Sequence, residues 1–385
     1  MTQATALARP EEVGIVPERL EALLARVRRD VDDGTLDSAQ VAVARHGQLV
    51  SFETFGEAVQ GGERKAATND TLYAVFSSTK AVVGAATWAL IEEGLLRIEE
   101  RVAEIIPEWG SNGKDAITVE QVMLHIGGFP RAPMGPPEWE TREGRLQAIA
   151  RWKLNWEPGS RFEYHATSAH WVLAEIIERR TGQDFRAYVH KRILQPAGVS
   201  DFWLGLPAEL DARVAEVGYR GEPVPPPGGW GEVTPQAILR FNEPATRRVG
   251  VPGGGGVGTA RALATFYQAL INGGAGPGGT RVLKPETIEY ATQVRTLDHH
   301  RDPMFGHPVN RALTVVVAGD DGNSHLRGFG PTVSPRAFGH GGAGGQIGWG
   351  DPETGISLGY CTNTFVDAIA SGRRITAVSS IAATL

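Results

Sequence analysis

Residues 72–86 read LYAVFSSTKAVVGAA, which places Ser77 three positions before Lys80 inside an apolar run. On a helix, residues three apart share a face, with Cβ atoms roughly 5–6 Å apart. A charged lysine is costly to bury, and desolvation lowers its pKa until the neutral amine is available as a base. A serine hydroxyl becomes a good nucleophile when such a base takes its proton. The run therefore predicts a buried helix over 77–93 in which Lys80 activates Ser77.

The chain contains a second serine and lysine at the same spacing, Ser111 and Lys114. Their segment, SNGK, is polar and contains glycine, so it predicts a solvated turn in which the lysine stays charged. The second pair indicates that a serine and a lysine occur at this spacing by chance. The spacing alone is therefore a weak indication of a catalytic pair. By itself it also fits a helix-capping serine followed by a lysine whose stem is buried while its amine reaches water.

The hydrophobic pattern places strands at both ends of the chain around a helical middle. Alternating β-branched residues predict a hairpin over 40–45 and 48–55, and further strands at 312–318, 346–349 and 356–362. Helical spacing predicts helices at 17–31, 118–125 (with a Thr118–Gln121 capping box), 168–180 and 368–382. The order predicts a sheet domain from 1–75 and 241–385, a mainly helical domain from 76–240, and a pocket at their junction.

Two more segments extend the pattern around Ser77 and Lys80. Residues 158–166 read PGSRFEYHA, with Tyr164, and residues 338–345 read FGHGGAGG, with His340 and Gly342. Together the three segments resemble class C β-lactamases, family VIII carboxylesterases and related serine hydrolases of the penicillin-recognising fold. That family carries S-x-x-K, then Y-x-N or Y-x-S, then K-T-G or a variant beginning with His or Trp. The similarity spans about residues 11–363.

The resemblance implies an α/β (α+β) fold of the β-lactamase/DD-peptidase type, in which helices flank an antiparallel sheet and an all-α region is inserted. It also implies roles for the matching residues. Ser77 attacks an acyl carbonyl, and Lys80 with Tyr164 relays the proton to the leaving group. The backbone N–H groups of Ser77 and Ala343 form the oxyanion hole. His340, Gly341 and Gly342 contact the substrate.

Two departures from the family pattern bear on the substrate. Ala166 replaces the amide or hydroxyl of the second motif, and His340 replaces the lysine that would meet a carboxylate. Both favour a neutral ester, so the predicted function is a carboxylesterase with a Ser-Lys-Tyr acyl-enzyme mechanism. Three alternatives stay open. They are an acyltransferase on the same fold, a β-lactamase, amidase or D-amino-acid peptidase, and a catalytically inactive binding protein.

Composition limits the partners and the compartment. A net charge of −6 leaves no basic surface for nucleic acid, and no apolar run approaches the length of a membrane-spanning helix. The single cysteine, Cys361, lies in an apolar run, which predicts a buried thiol and no disulfide. Residues 1–12 lack a signal-peptide pattern, which predicts a cytoplasmic protein. The expected partner is a small acyl ester; no metal or cofactor is expected, and a homo-oligomer is left open.

Other signals are interpreted as structural. Residues 253–258 satisfy G-x-G-x-x-G but follow Pro252 rather than a strand, so they predict a tight turn before a helix capped by Thr259. Residues 125–129 match a family segment without a catalytic role. Five tryptophans near Pro-rich stretches are expected mainly in core and rim packing, with some lining an acyl pocket: Trp139, Trp152, Trp156, Trp203 and Trp230.

Overall fold

The computed structural model describes residues 7–225 and 229–385, so Met1 to Ala6 of the predicted sheet domain and N-terminus lie outside it. The strands are β1 (Ser38–Arg45), β2 (Gln48–Gln60), β3 (Glu63–Ala66), β4 (Tyr73–Ala74), β5 (Phe202–Leu204), β6 (Gly218–Tyr219), β7 (Gly256–Gly258), β8 (Val316–Val317), β9 (Phe338–Gly342), β10 (Gln346–Asp351), β11 (Ile356–Thr362) and β12 (Thr364–Phe365).

The α-helices alternate with these strands and concentrate in the middle of the chain. They are α1 (Pro17–Asp32), α2 (Thr79–Glu92), α3 (Val102–Ile105), α4 (Val119–Met123), α5 (Arg142–Arg151), α6 (Ser168–Thr181), α7 (Phe185–Val189), α8 (Pro235–Leu239), α9 (Pro244–Val249), α10 (Ala260–Ile271), α11 (Pro285–Thr292) and α12 (Ala368–Ala382).

The main sheet joins the two ends of the chain, as the sequence predicted. Its seven strands run in the order β3-β2-β1-β11-β10-β9-β8, and all neighbours are antiparallel. Val41 pairs with Tyr360 where the N-terminal hairpin meets the C-terminal strands. Two small sheets, β4-β7-β5 and β12-β6, lie outside it. The predicted fold class is therefore confirmed, while the division into domains at residues 75 and 240 stays a prediction.

Helices cover both faces of this sheet. Because successive side chains on a strand point to opposite faces, Val41 and Val43 pack in one core with α1 and α12. Ala42 and Ala44 point the other way, into a larger core that includes α10 and α2. This two-sided burial explains why every residue of β10 and β11 is buried.

Helix α2 lies inside the larger core. Its residues are buried from Thr79 through Leu90, as expected for a helix that is apolar on all sides. It contacts α6 on one side and strand β9 on another. Lys80 therefore enters the protein interior in the first turn of a helix that has no solvent-facing side.

The predicted strand over 312–318 was wrong for most of its length. Only Val316–Val317 forms a strand, because Thr314 adopts a left-handed conformation with φ of 66°. The Ala312 N–H donates to Val315 O at 3.0 Å, which closes a turn just before the strand. The turn packs tightly against helix α2, since a Cβ at Gly84 would lie 1.7 Å from Thr314 Oγ1.

The segment from Ser111 to Lys114 forms the predicted turn, with Asn112 and Gly113 exposed, but the prediction that its lysine is solvated was wrong. Lys114 is fully buried, and its amine donates to Ser111 O at 2.9 Å and to Trp152 O at 2.8 Å. Burial lowers the pKa of Lys114 to about 8. The polar sequence around the lysine hid this outcome, because the acceptors are backbone carbonyls that leave no trace in side-chain composition.

Other structural expectations can be compared directly. Cys361 is buried, as predicted, and burial raises the pKa of its thiol. Trp139 and Trp152 are buried in the core. Across the described residues, none of the helices combines the length and the apolar character needed to cross a bilayer.

Candidate active site

Ser77 lies at the entrance to helix α2, in a short 3₁₀ turn over Phe76–Ser78. All of residues 71–90 are buried except Ser77, which is half-buried. Phe76 has a φ of 45°, a left-handed conformation that is strained for a bulky side chain. Strained backbone of this kind often marks functional positions. The turn therefore exposes one serine at the end of an otherwise buried segment.

The two residues between Ser77 and Lys80 fix this turn to the sheets. Ser78 Oγ donates to the His340 carbonyl at 3.0 Å, and Thr79 Oγ1 accepts from the Gly256 N–H at 2.9 Å. Strand β9 approaches so closely that a Cβ at Gly342 would lie 2.3 Å from Val75 O. A glycine at 342 is therefore required for the third motif to pack against the Phe76–Ser78 turn.

Lys80 Nζ lies 3.1 Å from Ser77 Oγ, 2.7 Å from Ala166 O and 2.5 Å from Gly253 O. A carbonyl oxygen can only accept, so each of the two carbonyls takes one N–H. A neutral amine has two N–H bonds and one lone pair. With both N–H bonds used, its lone pair is left for the Ser77 hydroxyl. This arrangement suits an amine that accepts the serine proton.

Burial lowers the pKa of Lys80, because the side chain is completely shielded from water. Tyr164 and, to a smaller extent, the carboxylate of Glu232 oppose this shift, and the positive charge of Arg311 adds to it. Gly253 leaves room for the Lys80 amine, since a Cβ at position 253 would lie only 3.4 Å from Nζ. The neutral amine that the sequence predicted is thus favoured by desolvation first and by a neighbouring cation second.

Tyr164 lies beside the amine, with Lys80 Nζ 5.0 Å from the ring centroid. The tyrosine hydroxyl is buried and has no hydrogen-bond partner within residues 7–225 and 229–385. Its ring lies between the imidazole of His125, 4.8 Å away, and the guanidinium of Arg311, 5.2 Å away. A buried hydroxyl without a partner is costly, so this one is available to a substrate group.

His340 is neutral and points toward Arg311. Its Nδ1 lies 2.7 Å from Gly341 O, which can only accept, so Nδ1 carries the proton. Nε2 is then free to accept from Arg311 Nη1 at 3.4 Å. Burial lowers the pKa of His340, and the charges of Arg311 and Lys80 lower it further. His340 therefore brings no positive charge to the site.

Arg311 supplies the positive charge instead, and sequence reasoning missed it. Its guanidinium packs over the rings of Phe162 and Tyr164, at 5.4 and 5.2 Å from their centroids. Within the described part of the chain it forms no ion pair with a carboxylate, whereas nearby Arg327 pairs with Asp321 at 2.5 Å. Because Arg311 lies 29 residues before His340 and outside every motif, only the folded chain reveals it.

These side chains meet on an open cavity of about 380 Å³, here named the Ser77 cavity. The predicted residues on its wall are Ser77, Tyr164, His340, Gly341, Gly342 and Ala343. Ala343 follows Gly342, the last paired residue of β9, and begins a turn over Ala343–Gly345. Lys80 lies behind Ser77. The structure thus brings every sequence-predicted site residue into one place, and their catalytic roles stay a prediction.

The segments interpreted as structural support the site from behind. His125 Nδ1 accepts from the His165 N–H at 3.2 Å, and His165 Nε2 accepts from the Phe129 N–H at 3.1 Å. Thr259 caps α10 as predicted, accepting from the Ala262 N–H. The glycine run before it turns only over residues 252–254, because Gly256–Gly258 form strand β7, so the predicted turn over 253–258 was wrong for its second half. The Gly253 carbonyl in this turn accepts from the Lys80 amine.

Solved structures with this fold cover almost the whole chain. A penicillin-binding protein homologue from Caulobacter crescentus is 28% identical, with a TM-score of 0.82, covering 97% of this chain and 99% of its own. A family VIII carboxylesterase is 26% identical, with a TM-score of 0.80, and the match covers 95% of this chain and 98% of that chain. Fold and neighbours together define a serine hydrolase of the β-lactamase-like class.

Sequence comparison leads to the same class. The family model described as Beta-lactamase matches residues 23–381. The chain therefore belongs to the Beta-lactamase family, and the resemblance seen in its motifs is confirmed. A curated relative, "Esterase/beta-lactamase LipL" of Mycobacterium tuberculosis (strain ATCC 25618 / H37Rv), is 29% identical over an alignment of 333 residues that covers 78% of this chain and 71% of that protein.

Proposed function

We propose that the protein hydrolyses carboxylic esters through an acyl-enzyme on Ser77. The observation that carries the proposal is the Lys80 amine, which is buried, held by two carbonyls and 3.1 Å from Ser77 Oγ. A desolvated amine in this position can take the serine proton at neutral pH. The partly exposed hydroxyl opens into the Ser77 cavity, where an ester carbonyl can reach it.

The proposed acylation step conserves atoms and protons. Ser77 Oγ attacks the ester carbonyl and forms a C–O bond, while its proton moves to Lys80. The oxyanion accepts hydrogen bonds from the Ser77 and Ala343 N–H groups. The proton then passes through the Tyr164 hydroxyl to the alkoxide as its bond to the carbonyl breaks. Water repeats the sequence on the acyl-enzyme and releases the acid.

The relatives support a hydrolase but leave several chemistries open. LipL is named as both an esterase and a β-lactamase, and one structural neighbour is a carboxylesterase. An acyltransferase would use the same acyl-enzyme, with an alcohol or amine in place of water. Adding such an acceptor to the assay separates the two. Under ester hydrolysis, the acid stays the main product.

Arg311 favours a second candidate, in which the substrate carries a carboxylate. Its guanidinium faces the Ser77 cavity without an ion-pair partner among the described residues, and an anionic substrate group would provide one. A β-lactam or a peptide ending in a carboxylate has such a group. The neutral-ester prediction rested on Ala166 and His340 and did not take Arg311 into account, so β-lactams and peptides ending in a carboxylate belong in the test panel.

The test is a panel of p-nitrophenyl esters from C2 to C12, nitrocefin and a D-alanyl peptide, with wild type and Ser77→Ala. We expect ester turnover by wild type and loss of it in the variant. A fluorophosphonate should label wild type at Ser77 only. Activity that survives Ser77→Ala would contradict the mechanism. Dominant nitrocefin or peptide turnover would instead support the second candidate.

We propose a small-molecule substrate, a cytoplasmic location, and no nucleic-acid or membrane partner. A homo-oligomer is tested by light scattering of the purified chain at several concentrations. A mass equal to the monomer at every concentration would exclude it.

A further inference from the structure

Tyr164 lies on a stretch of chain without regular secondary structure, because residues 161–165 belong to neither a helix nor a strand. Its hydroxyl has no hydrogen-bond partner in the described chain, so the side chain is not anchored at its tip. A group that transfers a proton must nevertheless be held to within about 0.5 Å of its productive position. Contacts other than those of a helix or a strand ladder must therefore hold Tyr164.

His125 bonds to the chain on both sides of Tyr164. The Glu163 N–H donates to the His125 carbonyl at 3.4 Å, and the His165 N–H donates to His125 Nδ1 at 3.2 Å. The imidazole also packs against the Tyr164 ring, with the two centroids 4.8 Å apart. One residue thus fixes the backbone before and after the tyrosine and contacts its ring.

The backbone of His125 adopts a conformation in which histidine is strained. It follows Leu124, the residue that ends helix α4, and has a φ of 59°. Helices that end in this left-handed conformation usually have glycine there, and sometimes asparagine. Glycine would remove the strain, but it could not accept from the His165 N–H. A functional need for the imidazole explains why a strained residue occupies this turn.

The acceptor at Nδ1 exists only while the imidazole of His125 is neutral. Burial lowers the pKa of His125, and the positive charge of Arg311 lowers it further. The ring is therefore neutral at neutral pH and carries its one proton on Nε2. Nδ1 can then hold the His165 N–H under the conditions in which a neutral Lys80 acts.

We propose that His125 is the positioning residue of Tyr164 and that it acts by accepting the His165 N–H at Nδ1. This inference rests on the proposed function, in which Tyr164 hands the proton to the departing alkoxide. Among the described residues, His125 is not on the wall of the Ser77 cavity, so it acts through Tyr164 and not on the substrate. It holds the Tyr164 hydroxyl at the distance from the alkoxide that proton transfer requires.

This role can be detected by changing the leaving group. An ethoxide or a phenoxide needs a proton as its bond to the carbonyl breaks, whereas p-nitrophenolate is a more stable anion that needs much less help. A displaced Tyr164 therefore slows acylation by ethyl and phenyl esters and spares the p-nitrophenyl ester of the same acid. A general loosening of the site would slow all three. Because kcat/KM covers the reaction only up to release of the alcohol, it isolates this step.

The first test uses two substitutions that both suit a left-handed backbone but differ in the acceptor. His125→Asn keeps one, since the side-chain oxygen of asparagine can take the place of Nδ1, whereas His125→Gly has none. We expect His125→Gly to lower kcat/KM about 10²-fold for the ethyl ester, by a smaller factor for the phenyl ester and less than about fivefold for the p-nitrophenyl ester. His125→Asn should stay within about fivefold of wild type on all three. Equal losses in the two variants, or on the three esters, would overturn the proposal.

Circular dichroism and thermal unfolding of both variants control for folding. If the glycine variant is unstable, His125→Gln provides the same comparison, because its acceptor lies one bond further out. His300→Gly is the matched control, since this buried imidazole also accepts a backbone N–H through Nδ1, that of Leu297 at 3.0 Å. It should not change the ratio of kcat/KM between the ethyl and p-nitrophenyl esters.

The second test is a double-mutant cycle on the ethyl ester. Tyr164→Phe removes the hydroxyl that His125 positions, so adding His125→Gly to it should cost less than about twofold further. A full additional loss would show that His125 acts on something other than Tyr164 and would contradict the proposal.

The outcomes separate this inference from the proposed function. If wild type hydrolyses no ester, or if Tyr164→Phe slows the ethyl and p-nitrophenyl esters alike, the proposed role of Tyr164 fails and this inference fails with it. If Tyr164→Phe shows the dependence on the leaving group and His125→Gly does not, only this inference fails. Wild type that hydrolyses p-nitrophenyl esters alone would also overturn it, because Tyr164 would then have no alkoxide to protonate.

Discussion

The two Ser-x-x-Lys turns, at Ser77 and Ser111, hold their lysines in nearly the same way. Each amine is buried and lies near two backbone carbonyls and the serine hydroxyl, at 3.1 Å for Lys80 and 3.4 Å for Lys114. The serines differ. Ser111 Oγ donates its own proton to Ala150 O at 2.8 Å, whereas Lys80 is the one partner of Ser77 Oγ in the described chain.

The difference shows that a buried amine does not by itself make a base. At Ser111 the hydroxyl proton is already bonded, so the lysine meets an oxygen lone pair and can only donate to it. At Ser77 the proton is free to face the amine, and the oxygen opens into a cavity. Lys80 is moreover near Arg311, which lowers its pKa further, while desolvation alone acts on Lys114.

The largest expected contrast is between the two serines. Ser77→Ala should lower kcat/KM for a p-nitrophenyl ester about 10⁴-fold or more, because the acyl-enzyme cannot form. Ser111→Ala should leave it within about twofold. Steady-state kinetics and mass spectrometry of the acylated protein measure both. Equal losses in the two variants would show that the turns do not differ in function.

The second-largest contrast in activity is expected between substitutions of the two lysines. Lys80→Met should lower kcat at least about 10²-fold, the usual contribution of a general base, while Lys114→Met should stay within about threefold. Circular dichroism of both variants controls for folding. A Lys80→Met enzyme with normal kcat would remove the basis for the whole mechanism.

The pH dependence sharpens the comparison. Lys80 must be neutral to act, so activity should fall as the pH drops through its lowered pKa. Arg311 helps to hold that pKa low, so Arg311→Met should raise it and move the acid limb to higher pH. The profile of kcat/KM for a neutral ester measures this. A limb that stays in place would mean that Arg311 does not influence the amine.

Substitution of Lys114 should have the smallest effect on activity and should instead change the stability of the protein. Lys114→Met removes the two hydrogen bonds from the amine to Ser111 O and Trp152 O, which should cost about 2 kcal/mol of unfolding free energy, while each carbonyl keeps one other donor. Burial lowers the pKa of Lys114 from 10.5 to about 8, so between these values the unfolded chain binds more protons. Wild-type stability should therefore rise with pH across this window relative to the variant. Urea unfolding at pH 7.5 and 10 checks both statements, and identical curves would contradict them.

Regular elements were predictable where local signals agreed. Helix Ala368–Ala382, strand Ile356–Thr362 and the Thr118 capping box lie where the sequence placed them. In these segments the alternation or helical spacing is strong and is ended by caps and turns. Distant contacts therefore do not change the local structure that the sequence favours. The 312–318 strand prediction failed because the chain turns at Thr314, which packs against Gly84 of helix α2, a contact that no local pattern contains.

The side chains of the candidate site could be predicted from the sequence, but the backbone groups that contact them could not. Ser77, Lys80 and Tyr164 belong to motifs, but the two carbonyls that orient the amine come from Ala166 and Gly253. Ala166 was seen as a departure from the family pattern, because a sequence shows the lost side chain and not the carbonyl that remains. Arg311 was missed because a sequence does not show which distant segments approach the site and bring their charges to it.

The Lys80 amine ties together three stretches of chain, since its carbonyl partners lie 86 and 173 residues further on. A growing or truncated chain that ends before Gly253 lacks the second carbonyl, and its lysine stays hydrated and protonated. Such a fragment holds an ordinary, unreactive serine. The surroundings that favour a neutral Lys80 amine are therefore complete only when the chain has folded as far as Gly253.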